Sequence, residues 1–230
     1  GGLAAVHSEG RSREEIWDAL QRKEVYGTSG DHILLWFHLL NVALEDGSVG
    51  SVPMGGEVTM HGTPRFEVRA VGAFRQKPGC PESSTDALSA ERLAQLCGGE
   101  CYYPSDERKL VTRIEIIRIR PQVTPGEPLR SLIEDPWKTV ACEPSQNGCV
   151  VQFEDPDFIA AARDTVYYVR AIEEPSPAVN ASGLRCKLDE SGQCIEARPC
   201  FGDYRTPSDD DCLATIEERA WSSPIFVDAN

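Results

Sequence analysis

No Cys-x-x-Cys pair occurs anywhere in these 230 residues, which argues against zinc ribbons and thioredoxin-like redox sites. There is also no Gly-x-Ser-x-Gly elbow, P-loop or dinucleotide fingerprint, so the common serine-hydrolase and nucleotide-binding frameworks are missing. No run approaches the roughly 18 apolar residues that a membrane helix needs. The longest apolar stretch, Ile33 to Leu40, is interrupted by His38 and is strand-length. Basic residues are in the minority: 23 Lys and Arg against 37 Asp and Glu, a formal charge of −14. That balance speaks against a phosphate backbone as partner, because nucleic-acid binding draws on clustered cations; solubility accounts for the acidic surplus. An initial Met is missing too. The chain opens Gly1-Gly2-Leu3, the start expected of a processed or truncated piece, so the lack of a signal peptide says nothing about export.

Cysteine, in contrast, is plentiful: nine residues, mostly in loops beside Gly, Pro, Asp and Asn. Cys97-x3-Cys101 has the spacing of half a zinc site, but no His-x3-5-His partner follows it. Disulfides are the better reading and imply an oxidising, extracytoplasmic setting, periplasmic or secreted. The candidates are Cys97, Cys101, Cys142, Cys149, Cys186, Cys194, Cys200 and Cys212. Cys142 and Cys149 are expected to close a small loop around Pro144 and Gly148. Cys80, far from the later cluster, is the expected odd thiol.

Local patterns divide the chain in two. Residues 2–6 read as a short buried strand and His7 to Arg11 as a polar loop. Ser12 with Glu15 three residues on forms a capping box, and Ile16, Ala19 and Leu20 give the stripe of a three-turn helix. Lys23 near its end suits the helix dipole. Val25 and Tyr26 then restart an extended segment, and Gly27 to Gly30 is a turn. Such a strand–loop–helix–strand unit cannot bury its own faces. Beyond it the strand candidates are Ile33–Leu40, Phe66–Phe74, Val111–Ile119, Cys149–Phe153, Val166–Ile172 and Trp221–Val227. Phe66, Val68, Ala70 and Phe74 share one face opposite Glu67 and Arg69. Ile114, Ile116, Ile117 and Ile119 cover both faces, as in a central strand. Strands separated by Pro- and Gly-rich loops predict a sandwich. One more helix is expected from Ala90 to Cys97, capped by Ser89 and stopped by Gly98-Gly99. The stretch from Glu173 to Arg219 is too long for a plain hairpin loop and requires disulfides to fix it.

Several stretches then carry a family resemblance: Gly2-Leu3-Ala4-Ala5-Val6, Ser12-Arg13-Glu14, Asp18-Ala19-Leu20, Arg22 to Tyr26 and Thr28-Ser29-Gly30 at the start. Glu100-Cys101-Tyr102 and Arg113 to Arg118 follow in the middle, and Tyr167 to Ile172 with Ala220 to Ile225 at the end. Together they resemble the C-terminal part of the family called domain of unknown function 3604, which is similar to the polymerase-and-histidinol-phosphatase superfamily. The resemblance implies a mainly β chain: residues 1–30 as the terminal strand and helix of a β/α barrel, and residues 31–230 as a disulfide-tied β-sandwich with a Cys-rich insertion at 173–219. It also implies that the parent is a metal-dependent hydrolase, phosphoesterase-like, using zinc, manganese or iron. The metal motifs of such a parent precede the Gly2-Leu3 strand, so this portion alone is expected to be inactive, with the upstream barrel of its own chain as its partner.

Within the chain, the strongest chemical candidate is the loop His7-Ser8-Glu9-Gly10-Arg11-Ser12-Arg13, since loops after barrel strands build active sites. Glu9 and Arg13 could support such a site or grip a small anionic substrate, Arg through its planar fork; their bland reading is solvated charge. His7 at the strand end could ligate a metal, although packing is the preferred role. Asp31-His32 suggests a ligand pair, but neighbours at the start of a strand point to opposite faces. The acidic stretches Asp189 to Gly192 and Ser208 to Asp211 offer oxygen ligands without EF-hand spacing, and Asn180-Ala181-Ser182 matches the glycosylation sequon. The alternative function is non-catalytic: a binding or docking module of an exported protein, with Trp36, Trp137, Tyr102, Tyr103 and Tyr204 as candidate contact rings.

Overall fold

The structure, a computed structural model, describes residues 2–44, 46–99, 101–179, 186–197 and 212–229. It is mainly β. The larger of two main sheets runs β1 (Leu3–Val6), β2 (Val25–Thr28), β15 (Leu213–Ser222), β12 (Thr165–Val179), β16 (Ile225–Ala229), β5 (Glu57–Met60). On the other edge of β12 it continues through β9 (Val111–Ile119) to β10 (Ile133–Ala141). A second sheet has the order β11 (Cys149–Glu154), β6 (Arg65–Val71), β3 (Leu34–Ala43), β4 (Val49–Pro53). Two small ribbons pair β7 (Phe74–Gln76) with β8 (Pro104–Arg108) and β13 (Lys187–Leu188) with β14 (Cys194–Glu196). The helices are α1 (Arg13–Gln21), α2 (Glu82–Ala87), α3 (Ala90–Cys97) and α4 (Phe158–Ala161). None is long and apolar enough to cross a membrane.

Alternation in sequence decides which faces are buried. In β3, Leu35, Phe37 and Leu39 are fully buried, and each lies opposite a buried residue of β6: Ala70, Val68 and Phe66. From the larger sheet, Ile114 and Ile116 of β9, Tyr167, Val169 and Ala171 of β12, Ala220 of β15 and Ile225 of β16 join the same buried cluster. Phe37, Phe66 and Phe153 stack with centroids 4.9–6.4 Å apart. Each such side chain contributes roughly 1.5–3 kcal/mol on full burial, so this shared layer is the main cohesive term.

Both predicted caps form. Ser12 Oγ accepts the Glu15 N–H at 3.2 Å and the Glu15 carboxylate accepts the Ser12 N–H at 2.9 Å. Ser89 Oγ accepts the Arg92 N–H, and Gly98 ends α3 in the left-handed region at φ 64°, which glycine adopts without a Cβ penalty.

Elsewhere the chain differs from expectation for identifiable reasons. The strand–helix–strand at the start is antiparallel, with Leu3 opposite Thr28, whereas successive barrel strands run parallel. β2 also pairs with β15, Thr28 opposite Ala220, so β1 and β2 belong to the larger sheet. The predicted strand Trp221–Val227 is broken at Ser223-Pro224 into β15 and β16, since Pro224 has no N–H to continue a ladder. The predicted loop from Glu173 to Arg219 is largely strand at both ends: β12 runs on to Val179, and β15 starts at Leu213. β9 ends opposite Glu173, so Pro175 and Pro177 fall where β12 has become an edge on that side, the position in a sheet that tolerates proline.

Charge enters the core at Arg118. Arg118 on β9 donates two hydrogen bonds to Glu134, at 2.6 and 3.0 Å, and one nitrogen reaches both oxygens of Asp155 at 2.8 Å. Tyr167 donates to Asp155 at 2.6 Å, and the Arg118 guanidinium lies 4.1 Å from the Trp137 ring centroid. Asp155 is fully buried. Removing one partner of a buried pair strands the other charge, at a cost of about 3–5 kcal/mol. Asp155→Ala is therefore expected to lower the urea midpoint by a matching amount at unchanged m-value. A loss below about 1 kcal/mol, the scale of an exposed pair, would show that the network is not needed.

Candidate functional site

The loop after β1 does not gather its candidates into a site. His7 Nε2 is 2.8 Å from the Leu35 carbonyl, and its ring packs at 5.4 Å from Tyr26 and 5.8 Å from Trp36. It lines a small cavity of about 110 Å³ with Glu24, Trp36, Phe37, His38, Pro53 and Met54. Burial holds His38 below the ordinary histidine range. Glu9 and Arg13 are exposed. Arg13 instead borders an open groove of about 670 Å³ along α1, together with Arg11, Glu14, Ile16, Trp17 and Leu20.

Asp31 and His32 lie elsewhere, ahead of β3, and take different partners. The His32 ring stacks on Tyr102 at 4.9 Å. Asp31 turns inward and pairs with Lys109, whose ammonium also donates to Ser176 Oγ at 2.8 Å. Both residues line a cleft of about 240 Å³ with Gly30, Ala73, Phe74, Gln76, Cys101 and Tyr102.

The third member of this cluster, Glu173, was not foreseen. β12 bulges between Ile172 and Pro175 against β15, and again at Glu173 against β9. Bulges re-aim side chains and often lie beside functional sites. Here Glu173 is turned into the interior and accepts the Ala73 N–H at 2.6 Å, while Glu174 pairs with Arg75 and accepts the Leu110 N–H at 3.1 Å. The approach depends on Gly72, where a Cβ would stand 1.9 Å from the Lys109 carbonyl. Burial first, then the Asp31 carboxylate, push Glu173 up to about 8. Its Oε2 faces no N–H or O–H. A proton on that oxygen resolves the orphan, because the neutral acid can donate to Asp31. The cluster then holds one anion, Asp31, one cation, Lys109, and one neutral acid. The signal available in sequence was a Glu-Glu pair directly after an apolar strand, which reads as the start of a loop.

These residues do not fit a divalent metal. His7, Asp31 and His32 do not converge, and the carboxylate of Asp31 is already taken up by Lys109. Among the described residues, the one group of three potential ligands brought within 4.8 Å of one another is Cys80, Cys97 and Cys101. Asp189 Oδ1 is occupied by its own turn, accepting from the N–H groups of Ser191 and Gln193. Ser208 to Asp211, Cys200, Tyr204 and the sequon at Asn180 lie outside the described residues. The remaining candidate rings are separate: Trp36 lies under Arg69, Tyr103 under Lys77, and Trp137 between Arg118 and Lys138.

Three disulfides join pairs of described residues: Cys80–Cys101, Cys142–Cys149 and Cys186–Cys194. Cys142 and Cys149 close their small loop as expected. The expected roles of Cys80 and Cys97 are exchanged: Cys80 is bonded, and Cys97 is the exposed free thiol. The reason is geometric. Gln76 of β7 lies opposite Pro104 of β8, so the chain returns to its starting point and Cys80 meets Cys101 at the neck of the loop. Cys212 is also disulfide-bonded.

A family model described as "Protein of unknown function (DUF3604)" matches residues 1–77. That span runs from β1 through β7 and includes His7, Asp31 and His32, but not Lys109, Glu173 or any cysteine. No curated protein and no solved structure matches the chain.

The raised Glu173 value has a defined consequence for stability. An acid whose folded pKa exceeds its unfolded value, here 4.5, stabilises fully below the unfolded value and loses that contribution as pH rises through the folded one. Glu173→Gln supplies a neutral donor and acceptor of the same shape. Its urea stability relative to wild type is expected to improve from pH 5 to about 8 and then level off, by an order of a few kcal/mol. A difference between the two proteins that stays constant over that range would rule out the shared proton.

Proposed function

We propose that this chain is the C-terminal docking portion of a metal-dependent hydrolase of phosphoesterase type, exported from the cytoplasm, whose catalytic metals are held by a β/α barrel encoded upstream in the same polypeptide. On this reading the two main sheets face each other as a sandwich and present β1 and α1 to the barrel. The observation that carries it is the outward face of α1. Ile16, Trp17 and Leu20 are exposed, Trp17 at 59%, around the open groove that Arg11 and Arg13 border. The helix fully buries Ala19 alone. An amphipathic helix normally turns its apolar stripe to a core, and three such side chains would each gain roughly 1.5–3 kcal/mol from being covered. β1 adds a second open feature beside it. It ends the larger sheet, so its outer edge has no partner strand among the described residues, and an open edge can accept another strand. The match of residues 1–77 to a family of unknown function agrees with a shared docking segment. The disulfides agree with an oxidising compartment.

Arg11 and Arg13 at the mouth of the groove would serve as the polar rim of the contact. Arginine suits that place because its guanidinium can grip a carboxylate of the partner bidentately while its stem packs on apolar surface.

The test is a longer polypeptide that includes the preceding part of the reading frame. It should bind zinc, manganese or iron stoichiometrically by elemental analysis and hydrolyse p-nitrophenyl phosphate, whereas residues 1–230 alone, with their disulfides intact, should do neither. Trp17→Glu in the longer polypeptide should lower its melting temperature by several degrees, since burying an unpaired charge is costly. Metal-dependent turnover by residues 1–230 alone, or a Trp17→Glu protein indistinguishable from wild type, would refute the docking role.

A further inference from the structure

The sulfur cluster at the neck of the β7–β8 ribbon offers a site that the docking reading does not use. Cys97 Sγ lies 3.6 Å from Cys101 Sγ, and the sulfurs of Cys80, Cys97 and Cys101 all fall within 4.8 Å of one another. A free thiol beside a disulfide suggests exchange, but the geometry argues against it. Attack on a disulfide proceeds along the S–S axis. At a 3.6 Å approach and an ordinary bond of about 2.05 Å, in-line attack would put the outer sulfurs about 5.6 Å apart. They are closer than that, so the three form a triangle and not a line.

A triangle of sulfurs is what a soft cation uses. Zinc at about 2.3 Å from each of its tetrahedral thiolates separates them by about 3.8 Å, close to the Cys97–Cys101 spacing already present. The surroundings also favour positive charge. Cys97 is the last residue of α3, where the helix dipole is negative. The carbonyl oxygens of Leu93 and Gly99 lie 3.2 and 3.4 Å from the sulfurs of Cys97 and Cys80. The backbone holds the neck closed independently of the disulfide: Lys77 N–H donates to the Tyr103 carbonyl at 2.7 Å and Cys101 N–H to the Gly79 carbonyl at 3.0 Å.

We propose that Cys80, Cys97 and Cys101 form a trithiolate site for a soft d10 cation, Zn²⁺ or Cu⁺, and that metal binding and the Cys80–Cys101 disulfide are mutually exclusive states of the same sulfurs. An external dithiol supplies two electrons and two protons to break the Cys80–Cys101 bond, becoming a disulfide itself. The cation then displaces three protons, one from each thiol. The fourth coordination position is left to solvent, because Cys97 is exposed. The disulfide form of the external reagent reverses the sequence: it takes two electrons from the Cys80 and Cys101 thiolates and two protons from solvent, the Cys97 thiolate regains a proton, and the ion is expelled. The site is thus a redox-gated metal store, or a structural clamp formed before the bridge closes.

The experiment uses the full chain, reduced anaerobically with a dithiol, freed of reductant and titrated with Zn²⁺ alone. Cys97→Ser, which leaves the native bridge possible and changes an exposed side chain, is treated identically and absorbs any contribution from the other reduced cysteines. Wild type is expected to bind about one more equivalent than Cys97→Ser, with at least a tenfold difference in affinity for that equivalent. Zn²⁺ should protect the peptides bearing Cys80, Cys97 and Cys101 together from iodoacetamide, read by mass spectrometry. Equal stoichiometry in the two proteins, or alkylation of any of the three that Zn²⁺ does not slow, would overturn the proposal.

Discussion

Strand β12 makes ladder hydrogen bonds to three neighbours, and its irregularity between Ile172 and Pro175 is the constraint on which the rest of the arrangement depends. Up to Ile172 its register with β9 and β15 places Tyr167, Val169 and Ala171 in the shared core. Past that point the register shifts, and two consecutive glutamates are delivered to the Gly72–Ala73 and Lys109–Leu110 turns. A regular strand would send Glu173 and Glu174 to opposite faces of the sheet. The bulge lets both serve as acceptors for loop N–H groups that would otherwise be unpaired, and it fixes the base of the ribbon that carries the cysteine cluster.

The two charged centres of the interior solve the same problem differently. Around Arg118 the guanidinium is flanked by Glu134 and Asp155, with the Arg120 guanidinium 3.7 and 4.0 Å from the same two acids, and Tyr167 and the Asp157 N–H add further donors to Asp155. The guanidinium and the donors meet most of the lone pairs of these carboxylates. Around Lys109 one ammonium faces two carboxyl groups, and its remaining donation goes to Ser176. There is not enough positive charge for both acids, so a proton makes up the difference. In a chain with fourteen more acidic than basic residues, protonating one buried acid costs less than importing another desolvated cation.

What could be read in the sequence was whatever is decided locally. Ser12 with Glu15, and Ser89 with Gly98, are short-range hydrogen-bonding devices, and both appear as caps. Alternation marked β6, and the isoleucines of β9 marked a strand buried on both sides. The hidden features all depend on distant partners. Pro175 and Pro177 looked like the start of a loop, because nothing local announces that β9 stops at Val111. Pro136 concealed β10 in the same way, although the pairing of Ile133 with Ile119 is well formed. The exchange of Cys80 with Cys97 follows from the register of β7 on β8, which spacing alone does not encode. Glu173 could not be picked out, since its environment is built from the Gly72, Lys109 and Asp31 segments, 64 to 142 residues away.

The commitments of Asp31 also bear on where any hydrolytic chemistry would reside. A carboxylate that ligates a divalent metal must offer its lone pairs outward, with its other contacts supporting that direction. Asp31 faces a lysine and an acid that needs an acceptor, and His32, its neighbour, is stacked on Tyr102. To free Asp31 for a metal, the Lys109 ammonium would have to be left without its ion pair in a half-buried position, at a cost comparable to that of breaking a buried pair. The matched segment therefore contributes shape and an apolar face more readily than it contributes ligands. On the docking reading, a metal-bearing partner would meet this chain at Trp17 and the edge of β1, and the Asp31 cluster would keep the adjoining turn rigid without taking part in the chemistry.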